Sequence, residues 1–286
     1  MKLQDSIKLM HDRLDATYGK GEVDAMARMV MDEVLHCSPV DMVMRADSDV
    51  PEFFPAKLES IVSRLEQCEP IQHILGVAWF HGHRFGVTPD TLVPRPETEQ
   101  LVDIIVDENR DRSDLRVLDI GTGTGCIAIS LTRALTFAQV TAIDVSNAAL
   151  AVARDNAAAL KARVSFALAD VLSMPLLQPS SLDIIVSNPP YVCHCEQTTM
   201  QRNVLDYEPA VALFVPDDDP LRFYAPIARQ AAAALAPGGK VYLEVNRRFA
   251  PQVAQLLANE GLTDTRVLRD TFGNDRFVIA TRPDGK

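Results

Sequence analysis

Apolar residues recur at helical spacing through the first quarter of the chain, then give way to short continuous runs. Ile7, Met10 and Leu14 share one helical face, as do Val23, Met26, Ala27, Val30, Val34 and Leu35. Leu58, Ile61, Val62 and Leu65 mark a third helix, entered near Pro55 and closed before Pro70. Gly19-Lys20-Gly21 and Asp47-Ser48-Asp49-Val50-Pro51 read as breaks between them. No stretch of residues 1–70 reads as a strand, so this part predicts a small helical bundle. Its methionines (Met26, Met29, Met31, Met42, Met44) read as core packing rather than as an adaptable binding surface.

Residues 71–95 change character. Val77-Ala78-Trp79-Phe80 and Arg84-Phe85-Gly86-Val87-Thr88 flank His81-Gly82-His83, the pattern of a β-hairpin with the histidines at its turn. Pro94-Arg95-Pro96-Glu97-Thr98-Glu99 then opens a helix whose apolar face is Leu101, Val102, Ile104 and Ile105. Beyond it, apolar runs alternate with alanine-rich helical segments: residues 115–120, 140–144, 164–169, 182–186, 240–245, 266–268 and 276–280. Alternating strands and helices predict a doubly wound α/β sheet, and the closely spaced final pair predicts an antiparallel edge.

Two of these strands run into turns that carry chemistry. The first leads into Gly121-Thr122-Gly123-Thr124-Gly125, ahead of a helix that begins near Ile127, where a ligand can approach the backbone closely. Asp144 ends the next strand at the distance expected of an acid that pairs with ribose hydroxyls. Cys126 stands where a dinucleotide fingerprint wants glycine or alanine, and Asp119 would set a negative charge near the ligand. Both features favour S-adenosyl-L-methionine over a dinucleotide. Asp170, after the third strand, is placed to meet an adenine amino group, with Val171 beside it.

The run at 182–186 leads into Ser187-Asn188-Pro189-Pro190-Tyr191. Asn188 brings an amide, and Pro189 and Pro190 have carbonyls but no N–H. Tyr191 can supply a flat, amphipathic wall. Such an acceptor-rich pocket suits a substrate NH2 group. The expected cofactor-binding set is Gly121, Thr122, Gly123, Thr124, Gly125, Asp144, Asp170, Val171 and Asn188. The expected substrate set is Asn188, Pro189, Pro190 and Tyr191, with Asn188, Pro189 and Tyr191 at the reacting group. Cys193-His194-Cys195 lacks a second ligand pair, so no metal site is expected. Arg95, between two prolines, positions a loop or a carboxylate or forms a structural ion pair.

Composition narrows the setting. The chain has 286 residues, 47% hydrophobic and 23% charged, which allows one large domain plus a small one. No apolar run approaches a membrane span, Met1-Lys2-Leu3-Gln4-Asp5 does not open a signal peptide, and five scattered cysteines suit a reducing cytoplasm. A formal charge of −11 argues against a nucleic-acid substrate, which normally needs a basic face.

The Pro94–Glu99 segment, the glycine turn, Ser187-Asn188-Pro189-Pro190-Tyr191 and Tyr207-Glu208-Pro209-Ala210-Val211-Ala212-Leu213-Phe214 stand in one order and spacing. In these motifs the chain resembles the peptide chain release factor glutamine methyltransferases over nearly its whole length. The resemblance implies a seven-stranded, Rossmann-like methyltransferase domain behind a small helical domain and a linking β-hairpin. The corresponding boundaries are 1–70 for helical substrate docking, 71–95 for the hairpin linker and 96–286 for the methyltransferase domain. It implies methylation of the glutamine side-chain nitrogen in the Gly-Gly-Gln motif of release factors; the setting expected is the cytoplasm and the state expected is a monomer. The chain departs from the family at Glu244-Val245-Asn246, where Glu-Ile-Gly is usual, and at Val171, where an aromatic residue is often found. Trp79-Phe80-His81-Gly82 is similar to a sister family that methylates a ribosomal-protein glutamine. A DNA or RNA amino-methyltransferase, in which Tyr191 would stack a flipped base, is the other alternative.

Overall fold

Helical spacing in the first residues builds α1 (Leu3–Tyr18) and α2 (Lys20–Leu35), followed by a short α3 (Pro39–Met44), α4 (Phe54–Glu66) and α5 (Ile71–Leu75). The computed structural model describes residues 1–284. Gly19 sits at φ 80°, so the chain turns there, and α2 restarts at once with Gly21 inside it. Met10, Leu14, Val23, Val30, Phe54 and Leu58 close the bundle's core. Fully burying one such side chain is worth roughly 1.5–3 kcal/mol. Of the methionines, Met26 and Met31 are buried, Met29 and Met42 pack at the edge of the core, and Met44 is exposed.

The chain divides into two compact units, one of residues 1–76 with 201–207, the other of residues 77–200 and from Glu208 onward. The short α9 (Arg202–Leu205) therefore belongs with the helical unit, where the Tyr207 hydroxyl donates to the Gln67 carbonyl at 3.0 Å.

The second unit opens with the hairpin of β1 (Val77–Phe80) and β2 (His83–Gly86), with His81 and Gly82 both at positive φ in its turn. Then come α6 (Pro96–Asn109), β3 (Arg116–Ile120), α7 (Cys126–Ala134), β4 (Gln139–Asp144), α8 (Asn147–Ala159), β5 (Val164–Leu168) and β6 (Leu182–Ser187). A two-residue pair, β7 (Val192–Cys193) and β8 (Phe214–Val215), precedes α10 (Tyr224–Ala234), β9 (Leu235–Glu244), α11 (Ala250–Asn259), β10 (Thr263–Arg269) and β11 (Asp275–Thr281). Because Leu235 already pairs with Leu182, β9 starts ahead of the Pro237-Gly238-Gly239 turn.

Seven strands form one sheet in the order β10-β11-β9-β6-β3-β4-β5. The run β9-β6-β3-β4-β5 is parallel, and β11 is antiparallel to both of its neighbours. Central strands are buried on both faces, which explains their continuous apolar runs. Val117, Ile184 and Val186 face the core under α6 and α7, while Leu118, Ile120 and Ile185 face that under α10 and α11. From β3 the chain winds outward through β4 and β5, then returns to β6 on β3's other side. That reversal opens a crevice at the carboxyl ends of β3 and β6. The Ser187 hydroxyl donates to the Ile120 carbonyl at 2.7 Å and ties the two strand ends together.

Candidate active site

The glycine turn is built on backbone hydrogen bonds. Gly121 and Thr122 N–H both donate to the Ile143 carbonyl, at 2.9 and 3.0 Å, which locks the turn to β4. Gly123 N–H donates to Asp144 Oδ2 at 2.9 Å, and Ser146 N–H to Asp144 Oδ1 at 2.9 Å. Asp144 thus braces the turn while standing at the rim of the crevice. Gly125, at φ 80°, has a different reason to be glycine: a Cβ there would lie 3.1 Å from Ile129 Cδ1 and 3.2 Å from Ala153 Cβ, where α7 and α8 meet. At Gly121, φ 75°, nothing lies within 4 Å of the same position.

Over the crevice lies a cavity of about 330 Å³ within the second unit. Gly121, Thr122, Gly123, Thr124, Asp144, Asp170, Val171, Asn188, Pro189 and Pro190 all line it. Ten residues expected from sequence therefore converge on one place. Leu92, Ile120, Ala169, Val171 and Phe223 make much of the wall apolar. Asp170 Oδ1 accepts from Leu172 N–H at 2.9 Å, which orients the carboxylate at the end of the cavity marked by Val171.

Two expected residues stand elsewhere. Gly125 is a packing glycine behind the turn. Tyr191 is not a wall of the cavity: its ring joins the apolar cluster under α10, and its hydroxyl donates to Glu244 Oε1 at 3.1 Å. An amphipathic ring at a strand end can bury its body once its hydroxyl finds an acceptor, and Glu244 is that acceptor. Asp119 also lies behind the surface. Its Oδ2 accepts from the Thr122 hydroxyl at 2.6 Å, its Oδ1 is buried with no hydrogen-bond partner, and burial pushes the carboxyl up to about 7.

Asn188 is held from behind. Its Nδ2 donates to Thr98 Oγ1 at 3.1 Å, and the Thr98 hydroxyl donates to Glu244 Oε2 at 2.7 Å. Thr98 and Glu244 are buried, and neither was assigned a role by sequence reasoning. Thr98 sits inside the Pro94–Glu99 segment and Glu244 is a charged residue at the end of an apolar strand, so each carried a signal. Asn246, one of the family departures, donates through Nδ2 to the Tyr191 carbonyl at 3.1 Å and to Glu196 Oε2 at 2.9 Å. Burial raises the Glu244 carboxyl above its ordinary range, opposed by the hydrogen bonds from Thr98 and Tyr191 and by the charge of Arg276.

Arg95 also lines the cavity and pairs with Glu208 at 2.5 Å, joining the segment before α6 to the segment after Tyr207. Cys193 is buried, and His194 stacks on Phe214 with ring centroids 5.3 Å apart. Among the described residues no group of three or more His, Cys, Asp or Glu could hold a metal ion, and no helix is long and apolar enough to cross a membrane.

An adenosine-containing sulfonium fits this cavity on three counts: open left-handed glycines at a helix entrance, carboxylates on the rim, and otherwise apolar walls.

Residues 9–76 match the family described as the PrmC N-terminal domain, and residues 97–206 the methyltransferase small domain. The chain is 47% identical to the release factor glutamine methyltransferase of Bacteroides thetaiotaomicron, over 94% of this chain and 96% of that one. It is 39% identical to the protein of the same name from Flavobacterium psychrophilum, over 93% and 94%. Among solved structures, a methyltransferase from Pyrococcus furiosus shares the fold at 18% identity, with TM-score 0.51, over 80% of this chain and 98% of that one.

Proposed function

Because the chain belongs to the release factor glutamine methyltransferases, and so is a protein-glutamine N-methyltransferase, we propose that it methylates the glutamine side-chain nitrogen in the Gly-Gly-Gln motif of release factors. The observation that carries this reading is the Asn188 amide, anchored through Nδ2 on Thr98, in a residue that lines the cavity next to Pro189. The methyl donor is S-adenosyl-L-methionine, which when bound supplies a methyl group made electrophilic by its sulfonium. Gly121, Gly123, Asp144, Asp170 and Val171 would hold it; the helical unit would dock the release factor.

The chain's own residues supply orientation and electrostatics. A glutamine amide nitrogen is a poor nucleophile because its lone pair is delocalised into the carbonyl. Asn188 Oδ1 and the Pro189 carbonyl, both acceptors, take the two hydrogens of the substrate NH2 and fix the nitrogen's position. As the nitrogen becomes positive, the same two oxygens stabilise it without having to reorganise. The methylated nitrogen is acidic and sheds its proton to solvent, so no strong base is required. Apolar walls keep water from competing.

Mass spectrometry of a release factor incubated with the enzyme and labelled cofactor tests this. One methyl group on the Gly-Gly-Gln glutamine is the expected result, whereas transfer only to a ribosomal protein or to nucleic acid overturns the substrate assignment. Asn188→Ala should cost roughly 2.7–4 kcal/mol in the chemical step, the loss typical of one preorganised transition-state partner. Cofactor affinity, measured by calorimetry, should stay close to that of the parent. A parent-like rate in Asn188→Ala would remove the amide from the mechanism.

A further inference from the structure

An asparagine can offer its substrate either an acceptor or a donor, depending on which end of the amide faces out, and only the acceptor suits a substrate NH2. Which end faces out is decided by what the buried end meets. Here it meets Thr98, and Thr98 meets Glu244.

We propose that Glu244, acting through Thr98, fixes the direction of the Asn188 amide so that Oδ1 faces the substrate, which makes Thr98 and Glu244 positioning residues for methyl transfer. The inference deepens the functional reading above and rests on it.

The argument follows from counting protons. An ionised carboxylate only accepts, so the single Thr98 hydroxyl proton must go to Glu244 Oε2. With its proton committed, Thr98 Oγ1 can only accept from the amide, and of the two Asn188 atoms only Nδ2 donates. Oδ1 is thereby turned to the other side, and among the described residues no donor reaches it. The Tyr191 hydroxyl occupies Glu244 Oε1 at 3.1 Å, so both carboxylate oxygens already hold a proton donor. Reversal needs a proton on Glu244. The carboxyl could then donate to Thr98, and Thr98 could point its own proton at Asn188, which would turn Oδ1 inward and present Nδ2 to the substrate. A donor would then face a donor.

The groups around Glu244 set where that happens. Glu97 and Thr98 face it from α6, Tyr191 from the turn after β6, Arg276 from β11 and Cys126 from the start of α7. On α10, the Tyr224 hydroxyl donates to the Glu244 main-chain carbonyl at 3.1 Å. Arg276 is itself paired with Asp270 at 3.1 Å. Burial outweighs these donors and this cation, so Glu244 takes its proton above the ordinary glutamate range.

Three full-length variants test the relay by single-turnover methylation of a release factor across pH, with cofactor affinity measured for each. Thr98→Val is nearly isosteric but cannot pass on the polarity; it should lose roughly 10- to 100-fold in saturated rate, with the cofactor Kd within about twofold of the parent. Thr98→Ser restores the hydroxyl and should recover most of that loss. Glu244→Gln can still hold the Thr98 proton from one of two orientations, so its rate should fall only severalfold. The acid limb that a proton on Glu244 gives the parent should, however, disappear, because position 244 no longer titrates. Thr98→Val at the parent rate, Thr98→Ser no better than Thr98→Val, or an acid limb that persists in Glu244→Gln would each overturn the relay. A parent enzyme inactive on release factors would instead overturn the functional reading. The relay is then read without substrate from the Asn188 side-chain amide resonances. These should shift with pH in the parent chain and not in Glu244→Gln; shifts that are the same in both would overturn it.

Discussion

Glu208 has a side chain only 1% exposed, and its Oε2 is buried with no hydrogen-bond partner. The Arg95 guanidinium at 2.5 Å from Oε1, with a backbone hydrogen bond from Val93, offsets the cost of a charge there. Burial still raises this carboxyl above its ordinary range, with Arg95 opposing the shift. The pair answers the question that two flanking prolines raise in the sequence: Arg95 is held so that it can meet a carboxylate 113 residues away. Arg95→Met would leave that carboxylate buried and unpaired, a change that typically costs about 3–5 kcal/mol. The penalty has a sign in pH. A buried glutamate with a raised folded-state pKa prefers its protonated form in the fold, so its contribution is fully present at low pH and lost as pH rises through that value. Urea unfolding of parent and Arg95→Met should therefore show a large difference at pH 8 that shrinks at pH 5. An equal difference at both pH values would mean that the charge of Glu208 is not what Arg95 offsets.

At the scale of elements, the strands were legible because a strand buried on both faces must be a short apolar run, and helices lie between most of these runs. The glycine turn and the Asn188 motif were legible because their chemistry sits in consecutive residues. What was not legible depends on contacts between distant segments. The short α3 has no buried residue, so no periodicity could mark it. Residues 201–207 look like part of a loop in the methyltransferase sequence, yet Tyr207 bonds to Gln67 in the helical unit. The Asn188–Thr98–Glu244 chain joins residues separated by 90 and 146 positions, and nothing local links them. Tyr191 misled for a related reason. Its place next to two prolines suggests a substrate wall, but a buried acceptor on β9 draws the ring the other way.

Within the turn, the two kinds of glycine make a paired prediction. Gly125→Ala drives a Cβ between α7 and α8, so it should lower stability by about 1–3 kcal/mol through overpacking, with left-handed strain added. Gly121→Ala meets no neighbour and should cost only the strain, about 1–2 kcal/mol. Gly121 lines the cavity and Gly125 does not, so Gly121→Ala should weaken cofactor binding more than it weakens the fold. Thermal unfolding beside calorimetry of cofactor binding separates the two. If both variants lose stability and affinity in the same proportion, the division of labour between these glycines is wrong.

At the scale of the whole molecule, charge distinguishes a protein substrate from a nucleic-acid one. The Asn188-Pro189-Pro190-Tyr191 motif alone does not, because an amide NH2 and an exocyclic base NH2 ask for the same two acceptors. The chain carries 39 acidic residues against 28 lysines and arginines, and a formal charge of −11. Binding a nucleic-acid backbone releases condensed counterions, and a protein that makes 6–10 phosphate contacts loses about 10³–10⁵ in affinity between 50 and 200 mM salt. A release factor has no such counterion atmosphere to give up, and separated surface charges are already largely screened over that range. The KM for a release factor should therefore change by less than roughly tenfold between the two salt concentrations, with the saturated rate almost constant. Steady-state methylation at several salt concentrations measures this directly. A steep logarithmic loss, with a slope equal to several phosphate contacts, would point to a polyanion as the true substrate. The acceptors of Asn188 and Pro189 would then serve a base amino group instead of a glutamine.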